Sequence, residues 1–286
     1  MSEPRPAAKH RDLIYDVGMH KGEDTDFYLK KGFQVVGFEA DPDLAEQCRK
    51  RFEAEIRSSR LTLVQGAIVD ARSAPTVRFY RNLDDSVWGT TSEEWKSRNE
   101  RLGTRSVAID VPAVDFAAAL ARYGVPYYLK IDIEGADRLC LQALDRFDQK
   151  PDYVSIESDK TDFPALLEEL RLLETLGYTG FQAVQQSTVR RQKPPRPPRE
   201  GRDVEHVFPY GASGLFGREL AGRWEAAPAL QRRYRRVFAA YRWLGDDSWL
   251  NRNPLGRRAL RALCRIAGRD VPGWYDTHAR HRGADA

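Results

Sequence analysis

The stretch LIYDVGMHKGEDTDFYLKKGFQVVGFEAD, residues 13–41, decides the fold of this chain. Residues 13–17 are a short apolar run that ends at a glycine, and residues 24–31 carry helical spacing. Residues 34–38, QVVGF, suit a buried strand, and a helix started by Pro42 is expected to run to about Phe52. Strand, glycine turn, helix and strand in that order make the repeating unit of a parallel sheet. Further strands are expected over residues 61–65, 127–133 and 153–156. A helical pattern, PALLEELRLLETLG over 164–177, follows the last of them. The fold class expected is α/β, a doubly wound and mostly parallel Rossmann-like sheet with helices on both faces.

Less regular segments surround that core. TVRFY (76–80) and RSVAIDV (105–111) read as extra strands, and the intervening residues 82–100 as a loop and short helix over the carboxyl edge of the sheet. RRQKPPRPPREGR, 190–202, breaks the pattern, because its prolines fix an extended course and it offers no apolar side chain to bury. The expected division is a catalytic domain over 9–185, a proline- and arginine-rich linker or loop over 186–206, and a basic helical C-terminal cap over 207–286. Within the cap, residues 230–244 and 255–266 carry apolar side chains at helical spacing with arginines between them.

Composition narrows the class. The 286 residues are 41% hydrophobic and 31% charged, as in ordinary soluble proteins. No apolar run approaches the roughly 20 residues that span a bilayer. The opening MSEPRPAAKHRD has no apolar core of a secretory leader, so none is expected. Cys48, Cys140 and Cys264 are scattered, which points to a reducing cytoplasm and away from disulfides or a zinc site. The net charge of +4 hides an uneven distribution, with acids toward the front and arginines in the last third.

In the first turn, Gly18 and Gly22 allow the backbone to bend tightly and approach a ligand. Glu39, at the end of the second strand, stands where an acid holds a ribose diol. The glycine spacing is GxxxG rather than the dinucleotide GxGxxG. Glu23, Asp24 and Asp26 crowd the first helical turn, where they would repel a pyrophosphate. S-adenosylmethionine has no phosphate and carries a cationic sulfonium, so Asp16 and its acidic neighbours suit it better than NAD.

Four segments, DVGMHKG (16–22), GFEADP (37–42), QGAIVD (65–70) and LKIDIEGAD (129–137), resemble the FkbM-type methyltransferases, a branch of the class I S-adenosylmethionine-dependent enzymes. The resemblance covers roughly residues 12–184, and SGLFGREL (213–220) and WYDTHAR (274–280) are similar to segments of some bacterial members. His20 departs from the asparagine that many members carry. The resemblance implies O-methylation of hydroxyls on sugars and secondary metabolites. It also implies that Asp16, Gly18 and Gly22 line the methionine moiety, Glu39 holds the ribose and Ala67 flanks the adenine. Thr25, Ala40, His20 and Asp132 complete the expected cofactor shell.

Methyl transfer to a hydroxyl needs alignment and removal of a proton. On the strand expected from residue 127, Lys130, Asp132 and Glu134 point to the same side, since side chains alternate. Asp132 or Glu134 then serves as base, with Lys130 beside them. Alternatively Asp132, Glu134 and Glu157 hold a Mg²⁺ that acidifies the acceptor. A third reading is purely structural, with Lys130 in an ion pair and a carboxylate capping the helix that starts near Ala136. His20, on the glycine turn, is a further candidate for base or cofactor contact. Asp276 and His278 would serve the acceptor if the tail folds over the site, and Trp88, Trp95 and residues 84–86 offer it an aromatic wall or ordinary packing.

The leading expectation is an O-methyltransferase for a small hydroxylated or carbohydrate acceptor. Its competitors are an RNA methyltransferase docking through the arginine helices and a non-catalytic S-adenosylmethionine-binding protein. The basic helices read as a solvated face on a cap, with an anionic membrane surface or lipid-linked glycan as a second partner class. Nucleic acid is disfavoured, because no RNA-binding module accompanies them and the cofactor turn is acidic. Neither the acceptor nor the oligomeric state is written in these motifs.

Overall fold

The computed structural model describes residues 7–70, 74–158, 162–244 and 274–284. In chain order the elements are β1 (Lys9–Val17), α1 (Glu23–Lys30), β2 (Gln34–Glu39), α2 (Pro42–Arg51), α3 (Glu53–Arg57) and β3 (Leu61–Gln65). The middle of the chain gives β4 (Ala67–Val69), β5 (Thr76–Asn82), α4 (Glu93–Arg101), β6 (Ser106–Asp115), α5 (Phe116–Tyr123), β7 (Val125–Ile131) and α6 (Asp137–Leu144). Then follow β8 (Tyr153–Ser158), α7 (Phe163–Thr175), β9 (Tyr178–Gln185), α8 (Ala227–Leu244) and β10 (Tyr275–His281).

Seven strands form the central sheet in the order β3-β2-β1-β7-β8-β10-β9. The pairs from β3 to β8 are parallel, and β10 runs antiparallel between β8 and β9. The order reverses between β1 and β7, and ligands of such sheets bind at the carboxyl ends beside that switch. The sheet is apolar on both sides, as a parallel sheet covered by helices requires. On one face Val17, Leu129, Ile131, Val154 and Ile156 pack against α5, α6, α7 and α8. On the other, Ile14, Val35, Tyr128 and Tyr153 meet α1 and a strap drawn from residues 189–220.

Of the linker or loop expected over 186–206, the structure gives a loop, and it is packed into this strap rather than standing free. Val189 and Glu200 are buried, and Glu200 accepts the Tyr127 hydroxyl at 2.8 Å. Lys31 and Glu219 form a fully buried ion pair at 2.6 Å. Phe216 stacks on Tyr128 at 4.7 Å and meets Tyr28 edge-on at 5.3 Å. Burying such a ring contributes about 1.5–3 kcal/mol.

The expected helical cap over 207–286 is corrected in two places. Phe208, Leu215, Phe216 and Leu220 belong to the core, and WYDTHAR supplies a strand of the central sheet, with Asp276 opposite Glu157 and His278 opposite Ser155. The helix expected over 230–244 lies within α8, whose Phe238 packs edge-on against Phe163 of α7 at 5.0 Å. The helix expected over 255–266 lies outside the described residues. Among the described residues, no helix is long and apolar enough to cross a membrane.

Both extra strands expected in the middle of the chain are present. β5 and β6 pair antiparallel, β4 joins β6, and a single 3₁₀ turn (Ser86–Trp88) and α4 connect β5 to β6. This insert roofs the carboxyl ends of β1, β2 and β7.

Candidate active site

At those carboxyl ends lies a cleft of about 890 Å³, counted to its open mouth. Gly18, Glu39, Ala40, Ala67, Lys130 and Asp132 line it. Gly18 is forced by geometry: its φ is +82°, and a Cβ there would stand 1.8 Å from the carbonyl oxygen of Asp132. Only glycine permits the first turn to lie this close to the end of β7.

Glu39 sits at the end of β2 with its carboxylate held by two backbone N–H groups. The amide of Asp41 donates to one oxygen at 2.8 Å and the amide of His20 to the other at 2.7 Å. Burial pushes its pKa up to about 7, against the opposing pull of those amides. Each oxygen keeps a second lone pair for a ligand hydroxyl.

Lys130 organises the turn. Its ammonium donates to the Gly18 carbonyl at 2.7 Å and lies 3.1 Å from Asp16 and 3.9 Å from Asp132. The acids around it, with Asp16 foremost, hold its pKa above the ordinary lysine value despite burial, so it is a fixed cation rather than a base. Asp16 is fully buried and also accepts the Thr25 hydroxyl at 2.7 Å.

Three residues expected at the cofactor stand outside the lining of this cleft. Asp16, Thr25 and Gly22 do not line it. Asp16 and Thr25 brace Lys130 and the turn, while Gly22, at φ +79°, caps α1 where a Cβ would strike the Phe52 ring.

His20 does line the cleft, with φ +52°, but both ring nitrogens are engaged. Nδ1 lies 3.0 Å from Glu23 and Nε2 2.8 Å from the Ser86 hydroxyl. His20 thus bridges the first turn to the insert, and acting as a base would break one of those bonds.

The period-two expectation for Lys130, Asp132 and Glu134 stops at Ile131, where β7 ends. Asp132 and Glu134 occupy the following turn, Glu134 at φ +47°. Asp137 folds back to accept the amides of Ile133 and Gly135, each at 3.0 Å, and the Thr90 hydroxyl donates to the Glu134 carbonyl at 2.6 Å. The turn is thereby pinned from both sides, and Asp132 and Glu134 both line the cleft.

Glu157 lines a neighbouring cleft instead. Among the described residues, no three His, Cys, Asp or Glu side chains group to hold a metal ion. The set Asp132, Glu134 and Glu157 therefore does not fit Mg²⁺.

Sequence reasoning missed part of the cleft. Phe79, Arg81 and Asn82 reach it from β5, and Arg81 pairs with Asp41 at 2.6 Å. Asp24, read only as an acid of the helix start, is buried and accepts the amides of Ser213 and Gly214, which ties the strap to the site. Burial raises its pKa to about 7. Trp88 lines none of the clefts described, whereas Trp95 packs over Gly135, where a Cβ would meet its ring at 2.6 Å. Asp276 and His278 are buried within the sheet.

Two curated relatives, each described as a probable ribosomal RNA small subunit methyltransferase A, come from Methanospirillum hungatei and Haloarcula marismortui. They are 30% identical over 94 residues and 31% over 80 residues, or 30% and 28% of this chain. The chain spans only 37% and 27% of their lengths. Solved structures give weak likenesses. A precorrin-6y C5,15-methyltransferase from Geobacter metallireducens is 12% identical with TM-score 0.36, covering 62% of this chain and 68% of that one. A SAM-dependent methyltransferase from Geobacter sulfurreducens, solved with S-adenosyl-L-homocysteine, is 13% identical with TM-score 0.34, covering 96% and 86%. The family profile described as the methyltransferase FkbM domain matches residues 16–179, more than half of the chain, so this protein belongs to the FkbM methyltransferase family.

Proposed function

We propose that the protein is an S-adenosylmethionine-dependent O-methyltransferase acting on a hydroxyl of a small molecule or carbohydrate. The observation that carries this reading is the convergence of Glu39, Lys130, Asp132 and Glu134 on one cleft at the switch of the sheet. The residues fit the cofactor: Glu39 is oriented for a ribose diol, Ala40 and Ala67 are small enough to flank a base, and the acids suit a cation. No helix start in the cleft is free of carboxylate, which disfavours a phosphate.

When bound, S-adenosylmethionine supplies a methyl group on a sulfonium, whose departure leaves a neutral thioether. Asp132, 3.9 Å from Lys130 and lining the cleft, would hold the cationic end of the cofactor. Glu134, which lines this cleft beside Asp132, would take the proton of the attacking hydroxyl. Its left-handed backbone, held by Thr90 and Asp137, is the kind of strain that a functional position retains.

The test is transfer of tritiated methyl from S-adenosylmethionine to a panel of hydroxylated acceptors, with a chelator control. Glu134→Gln should lower kcat by about a hundredfold or more, with cofactor affinity nearly unchanged. Full activity in that variant would overturn the assignment. An RNA acceptor is the second reading, favoured by the archaeal relatives and by Arg232, Arg233, Arg235 and Arg236, all exposed on α8. RNA binding that falls steeply with salt, accompanied by methylated RNA, would select it.

A further inference from the structure

A separate cleft, of about 850 Å³ to its open mouth, lies at the opposite, amino edge of the sheet. Arg11 and Asp12 near the start of β1 and Asp152 just before β8 line it, with Glu200, Arg202 and Arg218 of the strap. None of these residues lines the cofactor cleft. Two glycines bring the strap this close. At Gly201, φ +51°, a Cβ would stand 2.3 Å from the Lys31 carbonyl oxygen, and the Arg202 amide donates to that same oxygen at 2.8 Å. The Arg202 side chain then crosses Gly32, where a Cβ would stand 3.0 Å from its Nε. The backbone contact thus fixes the base of this arginine beside the cleft.

The buried carboxylates of the wall are already committed. Asp152 is paired with Lys9, and Glu200 accepts the Tyr127 hydroxyl and the Arg218 amide, each at 2.8 Å. On the solvent side, exposed Arg11, Arg202 and Arg218 face one exposed carboxylate, Asp12, which accepts the Gln34 side-chain amide at 2.9 Å. That is a surplus of two positive charges. Among the described residues, the Arg202 guanidinium makes no hydrogen bond or ion pair. Arg218 reaches Glu200 only at 3.4 Å and keeps donors to spare. A guanidinium fork matches phosphate oxygens, and such charge-assisted bonds are the strong ones. A terminal phosphate, dianionic near neutrality, balances the surplus. The internal phosphates of a dinucleotide carry one charge each and offer fewer free oxygens.

We infer that the cleft at the amino edge is a second ligand site, which takes the terminal phosphate of a small phosphorylated molecule on Arg202 and Arg218. It is independent of the cofactor cleft, where the acids at the start of α1 disfavour phosphate.

The experiment is calorimetric titration of the full chain with inorganic phosphate, glycerol 3-phosphate and glucose 6-phosphate, with glycerol and glucose as uncharged counterparts. At least one phosphorylated probe should bind one-to-one, and neither uncharged counterpart should. Saturating S-adenosylhomocysteine should change that affinity by no more than about twofold. Arg202→Ala should weaken the probe by about tenfold, the loss of one charge-assisted contact. A melting curve like the parent's shows that this variant has folded. Arg233→Ala, an equally exposed change on α8, should leave phosphate binding as it is. Binding of no phosphorylated probe, or displacement of the probe by S-adenosylhomocysteine, would overturn the inference. So would binding that Arg202→Ala weakens no more than Arg233→Ala does.

Discussion

Lys130 donates a hydrogen bond from the end of β7 to the carbonyl oxygen of Gly18, 2.7 Å away on the neighbouring turn. That contact, with the Asp16 pair behind it, joins the first turn to the end of β7 at the cleft proposed for the cofactor. Replacing Lys130 by Met leaves Asp16 buried without its counter-charge. Breaking such a pair costs about 3–5 kcal/mol. Thermal unfolding of Lys130→Met should fall by roughly 10 °C, and S-adenosylmethionine affinity should drop sharply. Adding Asp16→Asn should recover part of the stability. A parent-like melting curve and parent-like affinity in Lys130→Met would contradict this account.

Glu39 gives a pH signature. Its pKa is pushed up to about 7 by burial, so in the proposed role it would accept the ribose hydroxyls as a carboxylate only once its proton is lost near neutrality. Titration with 5′-methylthioadenosine, which lacks the amino-acid part, should show affinity rising as pH passes from 6 to 8 by about tenfold. Glu39→Gln should bind more weakly and lose that slope. A slope unchanged by the substitution would place the titration elsewhere.

His278 supplies a second, opposite test. Burial in β10 lowers its pKa from 6.5 to about 3, so between those values the unfolded chain binds a proton that the folded chain does not. Stability contributed by keeping it neutral is therefore present above pH 6.5 and lost as pH falls toward 3, by up to about 1.4 kcal/mol per pH unit. The raised acids Glu39, Asp24 and Asp276 work in the other direction. The difference between parent and His278→Gln in urea unfolding, measured from pH 7 to 4, isolates the histidine. It should shrink as pH falls. A constant difference would contradict a buried neutral imidazole.

Much of this was legible in the sequence. The strand, glycine turn, helix and strand over 13–41 depend on local period and backbone freedom, and β1, α1 and β2 follow them closely. Family membership and the positions of Gly18, Glu39, Ala40, Ala67, Asp132 and Glu134 along the cleft follow from short motifs placed at strand ends. What was not legible depended on long-range pairing. Thr25 sits in the first turn of α1, yet its hydroxyl is spent on Asp16. The period-two rule holds Lys130 in β7 but does not reach Glu134, because the chain turns after Ile131. WYDTHAR looks like a polar tail, since Asp276 and His278 interrupt any apolar run, and only pairing with both β8 and β9 accounts for their burial. The proline-rich segment around 190–202 has nothing apolar to announce its packing. It is held by Glu200 on Tyr127 and by prolonged contact of the following residues with α1.

The cleft at Gly18 and Glu39 is proposed to take a cationic, phosphate-free nucleoside. Calorimetric titration of the full chain with S-adenosylmethionine and with NAD, in the same buffer at pH 8, tests it most directly. The predicted result is saturable binding of S-adenosylmethionine, abolished or strongly weakened by Glu39→Ala, with no binding of NAD. Saturable binding of NAD with none of S-adenosylmethionine would contradict it.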